Sequence, residues 1–284
     1  MTEVYSQWHA KLTLGFSLQN GSRSVLSTRV HEGPLLIQRA LYPEGPEICH
    51  VAILHPPSGI AGGDMLDIQV RLAEHTRATI TTPGATRWYK SNGRHAAQNV
   101  LIQVGAGAQL DWLPCENIYF EQVDAAARNR IELHPDSAAI GWEISQLGSV
   151  RTPGHWLEGR VVMDTQLYIG QELVWVDAGE LAADDALRQG ICGLDGLPVH
   201  ATLWAYGTVL DTAELEVLNE RLGWGPELRG GLTVMPQEGG KALYLLRAIG
   251  LHAEDVRGLL VQAWQHLRPR LLRTSAQPLR LWTT

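Results

Sequence analysis

Through most of the chain, apolar and polar residues trade places in short runs broken by turn formers. Leu66, Ile68 and Val70 alternate with Asp67, Gln69 and Arg71, the two-residue period of a strand with one buried face. Residues 11–18 and 25–30 flank the turn-like Asn20-Gly21-Ser22, which predicts a hairpin. A compact apolar run over 48–54 ends at Pro56-Pro57, and a Thr- and Ile-rich run over 78–82 ends at Pro83-Gly84. Further strand candidates cover 100–104, 109–113, 130–133, 140–144, Gly159–Ile169 and 172–176.

A weak repeat runs through this series. Val70-Arg71-Leu72 leads to Ile80, Ile102-Gln103-Val104 to Trp112, and Ile131-Glu132-Leu133 to Trp142. Each unit is a strand, a short turn and a second strand, with Ala78, Ala108 and Ala139 in matching roles. The spacing is about thirty residues, within the range of stacked repeat units. The repeat rests on few positions, so the pattern leaves two mainly β architectures open, an ordinary sandwich of even hairpins as the simpler one and a stacked, β-helix-like array of strands as the other, each with a few short helices mostly towards the C-terminal end.

Helical periodicity is confined to the later part. Asp211 can cap a helix, with Glu214 three residues on, Leu215, Leu218 and Leu222 on one face, and Gly223 at its end. Over 253–267, Val256, Leu259, Leu260, Ala263, Trp264 and Leu267 form one apolar stripe. Glu254 and Asp255 lie in its first turn, and Arg268 closes it before Pro269. Residues 181–200, with Gly190, Gly193, Gly196 and Pro198, read as a long loop. No composition shift marks a boundary, so the expectation is one domain over 1–284.

Composition narrows the class. The chain has 284 residues, of which 45% are hydrophobic, so it can bury a core without disulfides. Its net charge of −7 argues against nucleic-acid binding, which usually needs a basic face. Lys11, Lys90 and Lys241 are the only lysines. Arg is favoured and Lys depleted at protein interfaces, although a GC-rich genome produces the same bias. Cys49, Cys115 and Cys192 are too few and too scattered for a disulfide framework, and a reducing cytoplasm is the expected setting. The N-terminal stretch lacks the apolar core of a signal peptide, and no apolar run approaches the roughly 20 residues of a membrane span.

Two stretches stand out. His55-Pro56-Pro57-Ser58-Gly59-Ile60-Ala61-Gly62-Gly63-Asp64 is rich in glycine, which permits positive φ and close backbone approach. No Gly-Lys-Ser/Thr follows, so a phosphate loop is not indicated, and one Asp is too little for a calcium turn. A tight turn between strands is the simpler reading. The second stretch, Thr81-Thr82-Pro83-Gly84-Ala85-Thr86-Arg87-Trp88-Tyr89-Lys90-Ser91, offers hydroxyls near an Arg, or aromatic anchors for a partner. The eleven histidines form no HxH or HExxH, and the adjacent Cys49 and His50 would point to opposite faces of a strand. Nothing pairs a nucleophile with a base.

Taken together, HPPSGIAGGDMLDIQV and ITTPGATRWYKS resemble the signature of the UreD (UreH) family of urease accessory proteins. That family carries His-Pro-Pro-Gly-Gly-Ile-x-Gly-Gly-Asp, then Thr-Thr-Pro-Gly-Ala-x-Lys/Arg-Phe-Tyr-x-Ser. The resemblance continues through Ala97-Gln98, the segment from Gly107 to Pro114, Trp142-Glu143, Leu147-Gly148, and the closing Leu281-Trp282-Thr283-Thr284. Ser58, Trp88, Cys115 and Leu279-Arg280-Leu281 depart from it locally. The resemblance implies a stacked, mainly β fold and a non-enzymatic scaffold. Such a scaffold would bind the partner UreF, through it the GTPase UreG, and then apo-urease. It also implies that nickel passes through an internal polar channel, with no cofactor permanently bound. A transient path needs weak, replaceable oxygen ligands, since a tight His/Cys cage would trap Ni2+. Asp64, Ser91, Glu143 and Glu180 are the residues expected to contribute to it. A hydrolase or isomerase on a β scaffold is the alternative, and it would require the nucleophile–base pair that the sequence does not display.

Overall fold

A computed structural model describes residues 7–283, and of Thr283 only the backbone. Seventeen strands occur among the described residues. The first nine are β1 (His9–Gln19), β2 (Arg23–Glu32), β3 (Leu36–Ile37), β4 (Cys49–Leu54), β5 (Met65–Leu72), β6 (Arg77–Thr81), β7 (Thr86–Trp88), β8 (Ala96–Val104) and β9 (Gln109–Leu113). The others are β10 (Asn117–Tyr119), β11 (Val123–Leu133), β12 (Ala138–Leu147), β13 (Gly159–Ile169), β14 (Glu172–Ala182), β15 (Val199–Thr208), β16 (Leu228–Gln237) and β17 (Lys241–Gly250). Two α-helices, α1 (Thr212–Leu222) and α2 (Ala253–Leu271), lie towards the C-terminal end.

The strands form two sheets. One has seven strands in the order β14-β13-β11-β8-β5-β1-β2. The other has ten, eight of them in the order β16-β17-β15-β12-β9-β6-β4-β3, with β10 paired to β12 and β7. From β4 to β13 the chain passes back and forth between the sheets, and each pass adds a parallel strand to the previous one. This is the stacked-strand architecture that the family resemblance implied, and it settles the choice that the weak repeat left open. Val70, Ile102 and Ile131 sit in one cross-strand row, as their spacing suggested. The second strand of each unit is aligned differently. Ile80 pairs with Trp112, but Trp112 pairs with Gly141 and not with Trp142, and Ala78 pairs with Leu110 and not with Ala108. Turn lengths differ between units, so residue-type matching slips by one or two positions while the backbone ladder does not.

Alternation builds two cores. Leu12, Leu14, Leu66, Ile68, Val70, Val100, Ile102, Ile131 and Leu133 point from the seven-stranded sheet towards Val51, Ile80, Leu110 and Tyr206 of the other. The opposite face of the ten-stranded sheet is covered by the helices, in a second core holding Trp142, Leu203, Tyr244, Leu246, Leu218 and the α2 stripe. Strands β15 and β17 are largely buried on both faces, and alternation is broken in β16 and β17 and legible only over Val199–Leu203 of β15, where it adjoins the glycine-rich 181–200 stretch. Sequence reading assigned them no element for that reason.

The two helices follow their predicted signals. Asp211 and Glu214 form a capping box for α1, and Gly223 ends it at φ 62°. Helix α2 runs past its expected end and contains Pro269 in its last turn. Proline there removes a backbone donor and crowds the preceding turn. Packing outweighs that cost. Arg268 Nε donates to Asp111 at 2.8 Å and its guanidinium forks onto Glu44, while Leu271 is buried beyond the proline. Trp264 Nε1 donates to the same Asp111 at 2.8 Å, so one buried carboxylate ties α2 to β9.

Glycine matters most in the turn between β4 and β5. Gly63 has φ +97°, and a Cβ on Gly62 would lie 1.9 Å from the Ser91 carbonyl oxygen. A Cβ on Gly59 would meet the Tyr89 ring at 2.3 Å. The two conspicuous sequence stretches are thus two turns pressed together. Gly62→Ala is expected to destabilise the protein by about 3 kcal/mol or more, because the blocking atom is backbone. Gly84→Ala, in open space, should change stability by less than about 0.5 kcal/mol. Urea denaturation of the two variants checks the contrast. By the same measurement Trp264→Ala should cost roughly 3–5 kcal/mol, since the ring is fully buried and its loss also strips Asp111 of a donor.

Candidate functional site

A polar layer interrupts the core between the sheets. The inward positions of β11 are Ala125, Ala127, Asn129, Ile131 and Leu133, and those of β13 include Val161, Met163, Thr165 and Leu167. Asn129 and Thr165 are register partners, so the two polar side chains lie side by side. Across the gap, Glu143 of β12 reaches both. Asn129 Nδ2 donates to Glu143 Oε1 at 2.7 Å, and Thr165 Oγ1 lies 2.9 and 3.0 Å from the two carboxylate oxygens. Burial raises the Glu143 pKa to about 7, with the nearby Asp177 charge adding to it and the Thr165 hydrogen bond opposing it.

Two cavities meet at this carboxylate. The first, of about 270 Å³, is bounded by Ser58, Gly59, the 82–87 turn, Gln98, Asn117 and Tyr119. The second, of about 420 Å³, is bounded by Asp177 and Glu180 of β14, by His200, Thr202 and Trp204 of β15, by Arg247 of β17 and by Cys192 of the intervening loop. Glu143, Ser145 and Met163 line both. Glu143 therefore sits between the two cavities, on the wall they share. At the open side of the second cavity, Arg247 pairs with Asp177 at 3.3 Å, and Thr202 Oγ1 donates to Asp177 at 3.3 Å. Deeper in, burial lowers the His200 pKa to about 4, against the pull of Asp177. His55, at the first cavity, is also lowered by burial. Both imidazoles are neutral at physiological pH.

The four residues singled out from the sequence fall in different places. Glu143 occupies the waist. Glu180 lines the rim of the second cavity, half exposed, and pairs with Arg160 at 3.5 Å. Asp64 closes the glycine turn, accepting from Ala61 N at 2.9 Å and Trp8 N at 3.1 Å. The Ser91 hydroxyl accepts from Gly93 N, while its backbone carbonyl abuts Gly62. Neither Asp64 nor Ser91 lines these two cavities. Sequence reading missed Asn129, Ser145, Thr165, Asp177 and His200. The readable signal was a polar residue in an inward row, as with Asn129 between Ala127 and Ile131. Among the described residues, no three His, Cys, Asp or Glu side chains form a ready-made metal group. No helix among them is long and apolar enough to cross a membrane.

The family model described as UreD urease accessory protein matches residues 9–283. The chain belongs to the UreD family of urease accessory proteins. It is 54% identical to the urease accessory protein UreD of Bordetella pertussis, over the whole of both chains. It is 46% identical to that of Cupriavidus necator, over 99% of this chain and 96% of the relative. With the protein of Ralstonia nicotianae the identity is 43%, again over 99% and 96%. Membership assigns the chain a role in urease maturation, and the motifs that carried the resemblance form the two pressed turns and the Glu143 waist.

The raised pKa of Glu143 has a thermodynamic signature. The folded carboxyl binds a proton more tightly than the unfolded one, so stability is highest below the unfolded value and falls as pH rises to about 7. The swing is about 3 kcal/mol. Glu143→Gln keeps the shape without the charge. It should flatten this part of the stability profile between about pH 4.5 and 7.5 and raise stability at pH 8, as read by denaturation across pH.

Proposed function

We propose that this protein is a non-catalytic scaffold in urease maturation that conducts Ni2+ along the passage between its sheets. In this reading it binds UreF, recruits UreG through it, and docks on apo-urease. The observation that carries the proposal is the Glu143 waist, a single carboxylate shared by two cavities and held by Asn129 and Thr165. Around it the lining is rich in amide, hydroxyl and carboxylate groups. Such ligands hold a borderline divalent ion weakly, so a hydrated ion can exchange water for protein oxygen and move on. A carboxylate whose pKa lies near 7 can accept a cation by releasing a proton.

Co-purification with UreF, UreG and apo-urease tests the scaffold. Glu143→Leu tests the passage, because it removes the charged ligand while nearly preserving volume. The variant is expected to assemble normally but to leave urease poor in nickel and low in activity, measured as metal content per urease active site. Full activation by an assembled Glu143→Leu protein would remove the passage from the route. Failure to assemble with UreF would remove the scaffold reading.

A further inference from the structure

We propose that the turn surface beside the first cavity is a docking site for an acidic segment of a partner protein, held by Arg87 and Lys90 around an apolar centre of Tyr89, Phe120 and Leu157. The inference rests on the scaffold reading and places one of its assembly contacts on this chain. Of the two aromatic residues in the 81–91 stretch, Trp88 is fully buried and serves the protein's own core, which leaves Tyr89 facing solvent. The Tyr89 ring stacks on Phe120, with centroids 5.6 Å apart and planes 7° from parallel. It also packs on Gly59, where a side chain would not fit. Trp156 Nε1 donates to the Phe120 carbonyl at 3.1 Å, and Leu157 N donates to Glu121 at 2.9 Å. These bonds bring Leu157, 67% exposed, to the same surface. An aromatic pair already fixed in place and a bare leucine beside it offer contact area at little cost in side-chain freedom.

The charge of this surface names the occupant. Arg87 and Lys90 are both exposed, and neither forms an ion pair among the described residues. The carboxylates of the surrounding turns are already engaged. Glu116 pairs with Arg257 at 3.2 Å, and Asp124 pairs with His95 and Arg160. Glu121 accepts from the backbone of Leu157 and Glu158, and Asp64 from that of Ala61 and Trp8. On a chain of net charge −7, two uncompensated cations beside apolar area make a local positive field. Acidic side chains complement that field, and Tyr and Arg are the residue types that anchor protein interfaces. Two cations are too few for a nucleic acid or an anionic membrane, which call for a broader basic face. Arg87 also lines the first cavity, as does Gly59 beneath Tyr89, so a partner seated here sits beside that cavity.

The test is equilibrium binding of the purified full-length chain to purified UreF and to purified apo-urease, at low and high NaCl. Wild-type affinity for at least one of them is expected to fall as salt rises, because the contacts involve exposed charges. Arg87→Glu and Lys90→Glu should each weaken that complex by about tenfold or more and flatten its salt dependence. Arg71→Glu, an equal charge change at the far end of β5, should alter affinity by less than about threefold. Leu157→Ser should weaken the complex by about fivefold or more with unchanged thermal stability, a combination that a structural role for an exposed leucine would not produce. It also carries the test if a charge reversal fails to fold. Binding that survives all of these changes, or that Arg71→Glu weakens equally, would overturn the inference and leave the scaffold reading standing. A wild type that binds neither partner would remove both. Self-association, or capture by phosphatidylserine vesicles, that is lost in Arg87→Glu and Lys90→Glu while UreF and apo-urease bind normally would give the surface to that other occupant and overturn the acidic segment.

Discussion

Parallel strands stacked in register carry each side chain of one turn over its equivalent in the next, so inward rows must be compatible from strand to strand. Along most rows the solution is aliphatic, as with Val70, Ile102 and Ile131. Where β11 and β13 place Asn129 and Thr165 side by side, an apolar partner across the gap would leave buried amide and hydroxyl groups unsatisfied, at about 1–3 kcal/mol each. Glu143 satisfies both. The polar waist is thus a product of register, and the cavities on either side of it exist because small and polar side chains there do not fill the space between the sheets.

The second sheet is held from behind. Helix α2 lies across β12, β15 and β17, and its only buried charge, Arg268, is paired with Asp111 and Glu44. A buried ion network of this kind adds little net stability over a well-packed apolar equivalent, but losing one member is costly because a charge is stranded. Its consequence is positional. Asp111 points away from the passage and towards the helix, while its strand neighbour Trp112 points into the passage wall. Strand alternation separates a structural carboxylate on one face from the passage lining on the other.

The antiparallel strands β15 and β17 extend the stack with a different geometry and bring the second cavity its distinctive residues. His200, Thr202 and Trp204 are alternate residues on β15, and Arg247 comes from β17 beside it.

Period-two alternation, turn residues and capping signals are local properties, and they made the hairpin of β1 and β2, the strands β4, β5, β6, β8, β9 and β11 to β14, and both helices legible, but not the three-residue β7 and β10. The long ordered motifs made the family legible, through His55 to Asp64 and Thr81 to Ser91 above all. The pressed glycine turns were legible as unusual, though not as mutually dependent, because the contact between Gly62 and Ser91 joins two separate motifs. What tertiary structure alone decided was which side chains face one another across the sheets. Asp64 and Ser91 carry the strongest motifs, yet their polar groups serve turns. Asn129, Thr165 and His200 carry no motif and line the two cavities. Facing across a gap depends on register and on the stagger of two sheets, and these are set by the pairing of strands that a linear pattern does not specify. The doubly buried β15 and β17 escaped for a related reason. Apolar neighbours on both faces blur the alternation by which a strand announces itself, leaving it only over Val199–Leu203 of β15.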